Sequence, residues 1–181
     1  YYNGAAVQII ADSDTDAGYA EYSTSDSKLI VHIKSNVTTT AQIQVSIGNV
    51  LNFFDVSGGD TSAVSLDKVF IDVTADGDGT SPASGTFVLS GDTITVTAAV
   101  NGADWNGVDV VIMADSSMST TAEYSAGVIT VHVLNDGTSG TDDVKDVIDD
   151  LADFTASGGT GNKVKLTRDY TSVISGGDYQ T

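Results

Sequence analysis

Three aspartates at alternate positions, Asp12, Asp14 and Asp16, form the segment of this chain that most resembles a metal loop. Alternating carboxylates bring several hard oxygens within reach of one calcium ion. The run Asp12-Ser13-Asp14-Thr15-Asp16-Ala17-Gly18 departs from the EF-hand pattern. Its glycine comes one place late, and Ser23 stands where the bidentate acid belongs. A solvated acidic turn is the simpler reading, and the same choice applies to Asp76-Gly77-Asp78-Gly79. No motif requires a cofactor, and calcium at the three aspartates is the addition the sequence leaves open.

The remaining reactive residue types do not assemble into a centre by spacing. His32 and His132 occupy equivalent places on alternating segments. An outward-facing residue is the simple account of both, since sequence sets no acid or thiol beside either. Glu21 and Glu123 are the only glutamates, each followed by tyrosine, and read as cross-strand partners rather than a hydrolytic carboxylate pair. No serine lies in a Gly-x-Ser-x-Gly elbow, and the Ser-Gly-Gly triplets lack the lysine of a phosphate loop. Tyr2 and Trp105 read as packing residues, with a sugar contact at Trp105 as the alternative. An enzyme is therefore not expected.

The elements that carry these residues are written twice. Tyr2-Asn3-Gly4, Val7, Ile9 and Ala11-Asp12-Ser13 return as Trp105-Asn106-Gly107, Val110, Ile112 and Ala114-Asp115-Ser116. Ala20-Glu21-Tyr22-Ser23 returns as Ala122-Glu123-Tyr124-Ser125, and Val31-His32-Ile33 as Val131-His132-Val133. Phe54…Ser57-Gly58-Gly59 matches Phe154…Ser157-Gly158-Gly159, and Val64 and Leu66 match Val164 and Leu166. A duplicated unit points to a building block, because a reactive centre is seldom carried twice.

Within each copy the hydrophobic period is first two, then helical. Lys28 to Lys34 alternates, with Leu29, Val31 and Ile33 on one face; Ile129, Val131 and Val133 do the same in the second copy. Each of these strands is expected to form a hairpin with the preceding Ala-Glu-Tyr segment. Val144, Val147, Ile148 and Leu151 then share one face of a helix over 141–151, with Thr141 as cap and Asp142 and Asp143 at the positive end of its dipole. The spacing predicts a weaker helix over 40–51, where Gly48 and β-branched residues intervene. Phe54 and Phe154 begin return strands, and a further strand follows around Val64–Leu66 and Val164–Leu166. Between the copies, 69–73 reads as a strand, and 85–90 with 93–97 as a hairpin across Gly91-Asp92.

Composition narrows the classes. Lys and Arg number 7 against 25 Asp and Glu, a net charge of −18, which repels nucleic-acid phosphates and anionic membranes. Such a charge favours solubility and opposes self-association unless salt or cations screen it. Cysteine is absent, which removes disulfides, thiolate metal sites and cysteine nucleophiles. No apolar run approaches the ~20 residues that a membrane-spanning helix needs. No basic segment leads into an apolar run near Tyr1, and the sequence leaves export open.

These signals define a mainly β chain with short helices (α+β), as two tandem β-β-α-β units with an additional hairpin between them. The expected divisions are 1–67, 68–104 (packed with the first unit) and 105–181. The order of signals, best seen in Gly127 to Thr138, Thr141 to Leu151 and Phe154-Thr155-Ala156-Ser157-Gly158-Gly159, resembles the β-β-α-β repeats inserted in flagellins and hook-associated proteins. It is also similar to repeats in structural proteins of tailed-phage virions. That resemblance implies a structural subunit or decoration module of an extracellular assembly. A phage virion (capsid decoration or tail component) ranks first. A bacterial surface filament, or an adhesin-like domain recognising glycan or a host protein, is the alternative. The implied partners are copies of itself or other structural subunits, at a virion surface or outside the cell, without nucleic acid or membrane insertion. If calcium binds at Asp12, Asp14 and Asp16, millimolar calcium raises the melting temperature; an unchanged melting curve removes the metal.

Overall fold

A computed structural model describes residues 5–50, 56–115, 119–134 and 137–170. It is mainly β, with two short helices among the described residues. The chain divides into two compact units, Tyr1–Leu66 with Leu166–Thr181, and Asp67–Lys165.

In the first unit, β1 (Ala6–Ala11) lies parallel to β3 (Lys28–Ile33), which pairs antiparallel with β2 (Tyr19–Ser23). The expected alternation holds at Leu29, Val31 and Ile33, which are buried together with Ile10 and Ala11. Helix α1 (Thr40–Gly48) packs against β2 and β3 and buries Ile47. It is capped by Thr39, whose hydroxyl accepts the Gln42 N–H while the Gln42 side chain accepts the Thr39 N–H. The weak helix of the sequence is thus secured by a capping box. The return strand expected at Phe54 lies outside the described residues.

The second unit opens with β4 (Asp67–Phe70) and continues through β5 (Pro82–Leu89) and β6 (Asp92–Asn101). The tight turn joining β5 to β6 uses Ser90 and Gly91, with φ of 50° and 88°, one residue earlier than the expected Gly91-Asp92. Two successive positive φ values give the turn whose twist suits a hairpin. Then come β7 (Asp109–Asp115), β8 (Thr121–Ser125), β9 (Val128–Leu134), α2 (Thr141–Asp149) and β10 (Phe154–Gly158). The last strand among the described residues, β11 (Leu166–Tyr170), belongs to the first unit. In α2 the apolar stripe buries Val144 and Ile148. Its cap is Gly140 rather than Thr141, and the Gly140 N–H donates to Asp143 at 2.8 Å.

Among the described residues, two of the three sheets are built alike. Their strand orders are β11-β1-β3-β2 and β4-β7-β9-β8, and the third is β10-β6-β5. Val7 faces Leu29 across the parallel pair of the first, as Val110 faces Ile129 in the second. The compact units differ from the expected divisions in two places. The segment 68–104 belongs to the second unit, because β6 pairs with β10 from Phe154↔Ala98 to Gly158↔Ile94. The last strand, β11, leaves the second copy and joins the first sheet along β1.

A buried carboxylate holds the second unit's loops. Asp92 accepts hydrogen bonds from the hydroxyl of Thr141, the N–H (2.8 Å) and hydroxyl (2.7 Å) of Thr160, and the N–H (3.4 Å) and side-chain amide (2.7 Å) of Asn162. The hydroxyls of Thr141 and Thr160 hold its pKa down from the ordinary 3.8 to about 2. A depressed folded-state pKa gives stability that is full above the ordinary value and lost as pH falls towards about 2. Asp92→Asn is therefore expected to lower the melting temperature at neutral pH by roughly 5 °C or more. It is also expected to reduce the loss of stability between about pH 4 and pH 2 in acid melts, relative to wild type.

Candidate functional site

The strongest cluster of ionisable side chains lies where β1, β2 and β3 meet. His32 Nδ1 stands 2.7 Å from Asp12 Oδ1, and its Nε2 stands 3.5 Å from Glu21 Oε1. The Tyr19 ring stacks on the imidazole at 4.2 Å between centroids, with planes 8° apart. Parallel pairing produces this grouping. Ile10 sits opposite His32, so Asp12, one residue past the end of β1, arrives beside the ring. The antiparallel β2–β3 pair sets Tyr19 directly opposite His32, with Glu21 two residues along.

The expectation of an outward-facing histidine is corrected for His32, which is 8% exposed. Its two acids come from 20 and 11 positions upstream, a separation that periodicity along one strand does not reveal. The repeat held a usable signal: Asp115 recurs with His132, and their side chains approach to 3.5 Å. Thr121 takes the place of Tyr19 opposite His132, so the stacked aromatic belongs to the first unit. Glu21 lies opposite Ile30 on β3, with its carboxylate 3.5 Å from His32 Nε2.

Gly18 admits this geometry. Its φ is +64°, and an added Cβ would run into the backbone carbonyl of His32. Beside it, Gly18, Tyr19, Ala20, Glu21, Tyr22, Ser46, Asn49 and Val50 line an open cleft of about 410 Å³. The Tyr19 phenol has a raised pKa, through partial burial and then the charges of Asp12, Glu21 and Asp14.

The aspartates of the candidate calcium loop point to separate partners. Asp12 engages His32, Asp16 pairs with Lys34 at 2.9 Å, and Asp14 is exposed. Ser13, between them, is buried and accepts the Thr15 N–H at 3.2 Å. Among the described residues no three His, Cys, Asp or Glu side chains converge as a metal site. In Asp76-Gly77-Asp78-Gly79, Asp78 accepts the N–H groups of Thr80 (2.7 Å) and Ser81 (2.8 Å), an aspartate-closed turn. Trp105 packs edge-on against Phe154 at 5.4 Å and lies 5.8 Å from Tyr124. Its neighbour Asn106 accepts the Gly77 N–H and donates to the Gly77 carbonyl. Tyr2 and Asn3 lie outside the described residues.

Chemically, the Asp12–His32 pair orients an imidazole, as proton relays do. Its other nitrogen is buried without a hydrogen bond, 3.5 Å from Glu21, and one ring face is covered by Tyr19, so side chains from three strands surround the ring. Comparison with known proteins finds no matching family model, no matching curated protein and no matching solved structure. Removing the imidazole strands the Asp12 carboxylate, which is largely buried. His32→Ala is expected to lower the unfolding free energy by about 1–3 kcal/mol in urea titrations. Glu21→Gln, at an exposed carboxylate, is expected to cost less than about 1 kcal/mol.

Proposed function

We propose that this chain is a structural subunit or decoration module of an extracellular assembly. A phage virion is the first setting and a bacterial surface filament the second. The observation that carries the reading is the recurrence of one four-stranded sheet, in the same order and register, in both units. Two homologous copies of one module account for that recurrence, and duplicated modules present surface rather than a single pocket. The Asp12–His32 pair fits the same reading, because it ties β3 to the residue that follows β1.

The edges of the sheets suit assembly. Among the described residues, strands β2 and β8 each end their sheet, the position from which a sheet can be extended by a neighbour. Tyr19 on β2 and Val69 on β4 are half exposed. The charge of −18 keeps such surfaces apart until salt or cations screen it.

An adhesin-like reading has one observation of its own, the cleft lined by Tyr19, Tyr22 and Asn49. Aromatic and amide groups are what a glycan would contact. Electron microscopy of the purified chain in added salt, with and without isolated capsids or tails, separates the two. Ordered polymers or decorated particles are expected. A monomer that ignores such particles and retains glycans on an array overturns the structural reading.

A further inference from the structure

Resting on that structural reading, we propose that β11 is an exchangeable donor strand whose partner is a second copy of this chain. In the joined form, β11 of one copy lies on β1 of the next.

The argument begins with β4. This strand follows the first copy of the repeat yet lies in the sheet of the second unit, with Lys68 opposite Ile112, Val69 opposite Val111 and Phe70 opposite Val110. Strand β11 follows the second copy and lies on β1, with Arg168 opposite Ile9, Asp169 opposite Gln8 and Tyr170 opposite Val7. When Val7 is matched to Val110 and Leu66 to Leu166, the two pairings are the same residue for residue. Each repeat therefore hands its last strand to the β1-type strand of another repeat. The first repeat hands it forward along the chain, whereas the second hands it back to the start.

The β1 of another copy presents the same residues to β11 as the chain's own β1. Closed and exchanged forms therefore share the same ladder, and chain concentration decides between them. The hinge is short. Val164 donates its N–H to Ser139 in the second unit, Leu166 opposes Ala11 in the first, and only Lys165 lies between. Opening there exposes the buried Leu166 and an unpaired edge on β1, two surfaces that each seek the other. Because each copy both gives and receives a strand, exchange closes into small rings or continues as a filament.

Gln8 and Asp169 face each other across β1 and β11 and share a 2.6 Å hydrogen bond at the surface. Opposed positions of this kind accept a disulfide, and the chain has no cysteine of its own. Gln8→Cys and Asp169→Cys proteins are refolded together at high concentration in added salt, then oxidised. The control mixes Glu123→Cys with Thr130→Cys, opposed within the β8–β9 hairpin that exchange leaves intact. The proposal expects a disulfide-linked Gln8→Cys/Asp169→Cys dimer at about tenfold the yield of the control dimer. The double variant carrying both cysteines, kept dilute, should close on itself as a monomer. Equal yields in the two mixtures overturn the exchange, as does a double variant that fails to close. If wild type still forms ordered polymers or decorates particles in that case, the structural reading survives without strand exchange; if it does neither, both fall.

Discussion

Both four-stranded sheets depend on one constraint: the β1-type strand sits inside its sheet, and its own repeat fills only one of its edges. The parallel neighbour, β3 or β9, comes from the same copy. The other edge is covered by β11 or β4, strands that follow a different copy in sequence. An uncovered edge would leave a row of unpaired amides beside the buried Ile10 and Ala11, or beside Val110 and Ile112. Each edge is covered within its own compact unit, by a strand that follows the other copy in sequence. That arrangement explains why the chain crosses from one unit to the other twice.

A second device recurs where each helix starts. Thr40 and Thr141 hold equivalent first-turn positions, and each hydroxyl donates to a carboxylate. The first unit takes that acid from its own loop, Asp60. Its pKa is lowered by the Ser62 N–H and hydroxyl and then by Thr40. The second unit takes it from Asp92, at the start of β6 in the inserted hairpin. In both, the second glycine of Ser-Gly-Gly has a positive φ, and its backbone packs against the carbonyl of that threonine. A side chain at Gly59 or Gly159 would be strained and obstructed, which gives the repeated triplet a structural reason. Asp92 thereby joins hairpin, helix and loop within the second unit.

Much of the local structure was legible from side-chain chemistry. Alternation at Leu29, Val31 and Ile33 marks a half-buried strand, and the stripe of Val144 and Ile148 marks a helix, because burial follows the period of each element. Long-range pairing was not legible. Nothing in Leu166 to Tyr170 states that the partner is β1 rather than a strand nearby, since one β-prone segment fits many edges. The place of the hairpin is not legible for the same reason: β6 finds β10 some 60 positions away, and only the fold brings them together. Within the site, local pattern marks Asp12 as a metal-loop acid and His32 as a surface residue, although parallel pairing makes them partners at 2.7 Å. The metal-loop pattern is local, whereas the partnership is tertiary.

The central claim is that each repeat supplies three strands of its sheet and receives the fourth from outside. Hydrogen–deuterium exchange across β1, β4, β7 and β11 tests it most directly, since amide protection reports which edges are paired. Slow exchange is expected in all four segments, with 166–170 protected to the same degree as 67–70. Free-chain exchange in 166–170 together with an unprotected β1, while 67–70 remains slow, would contradict the account.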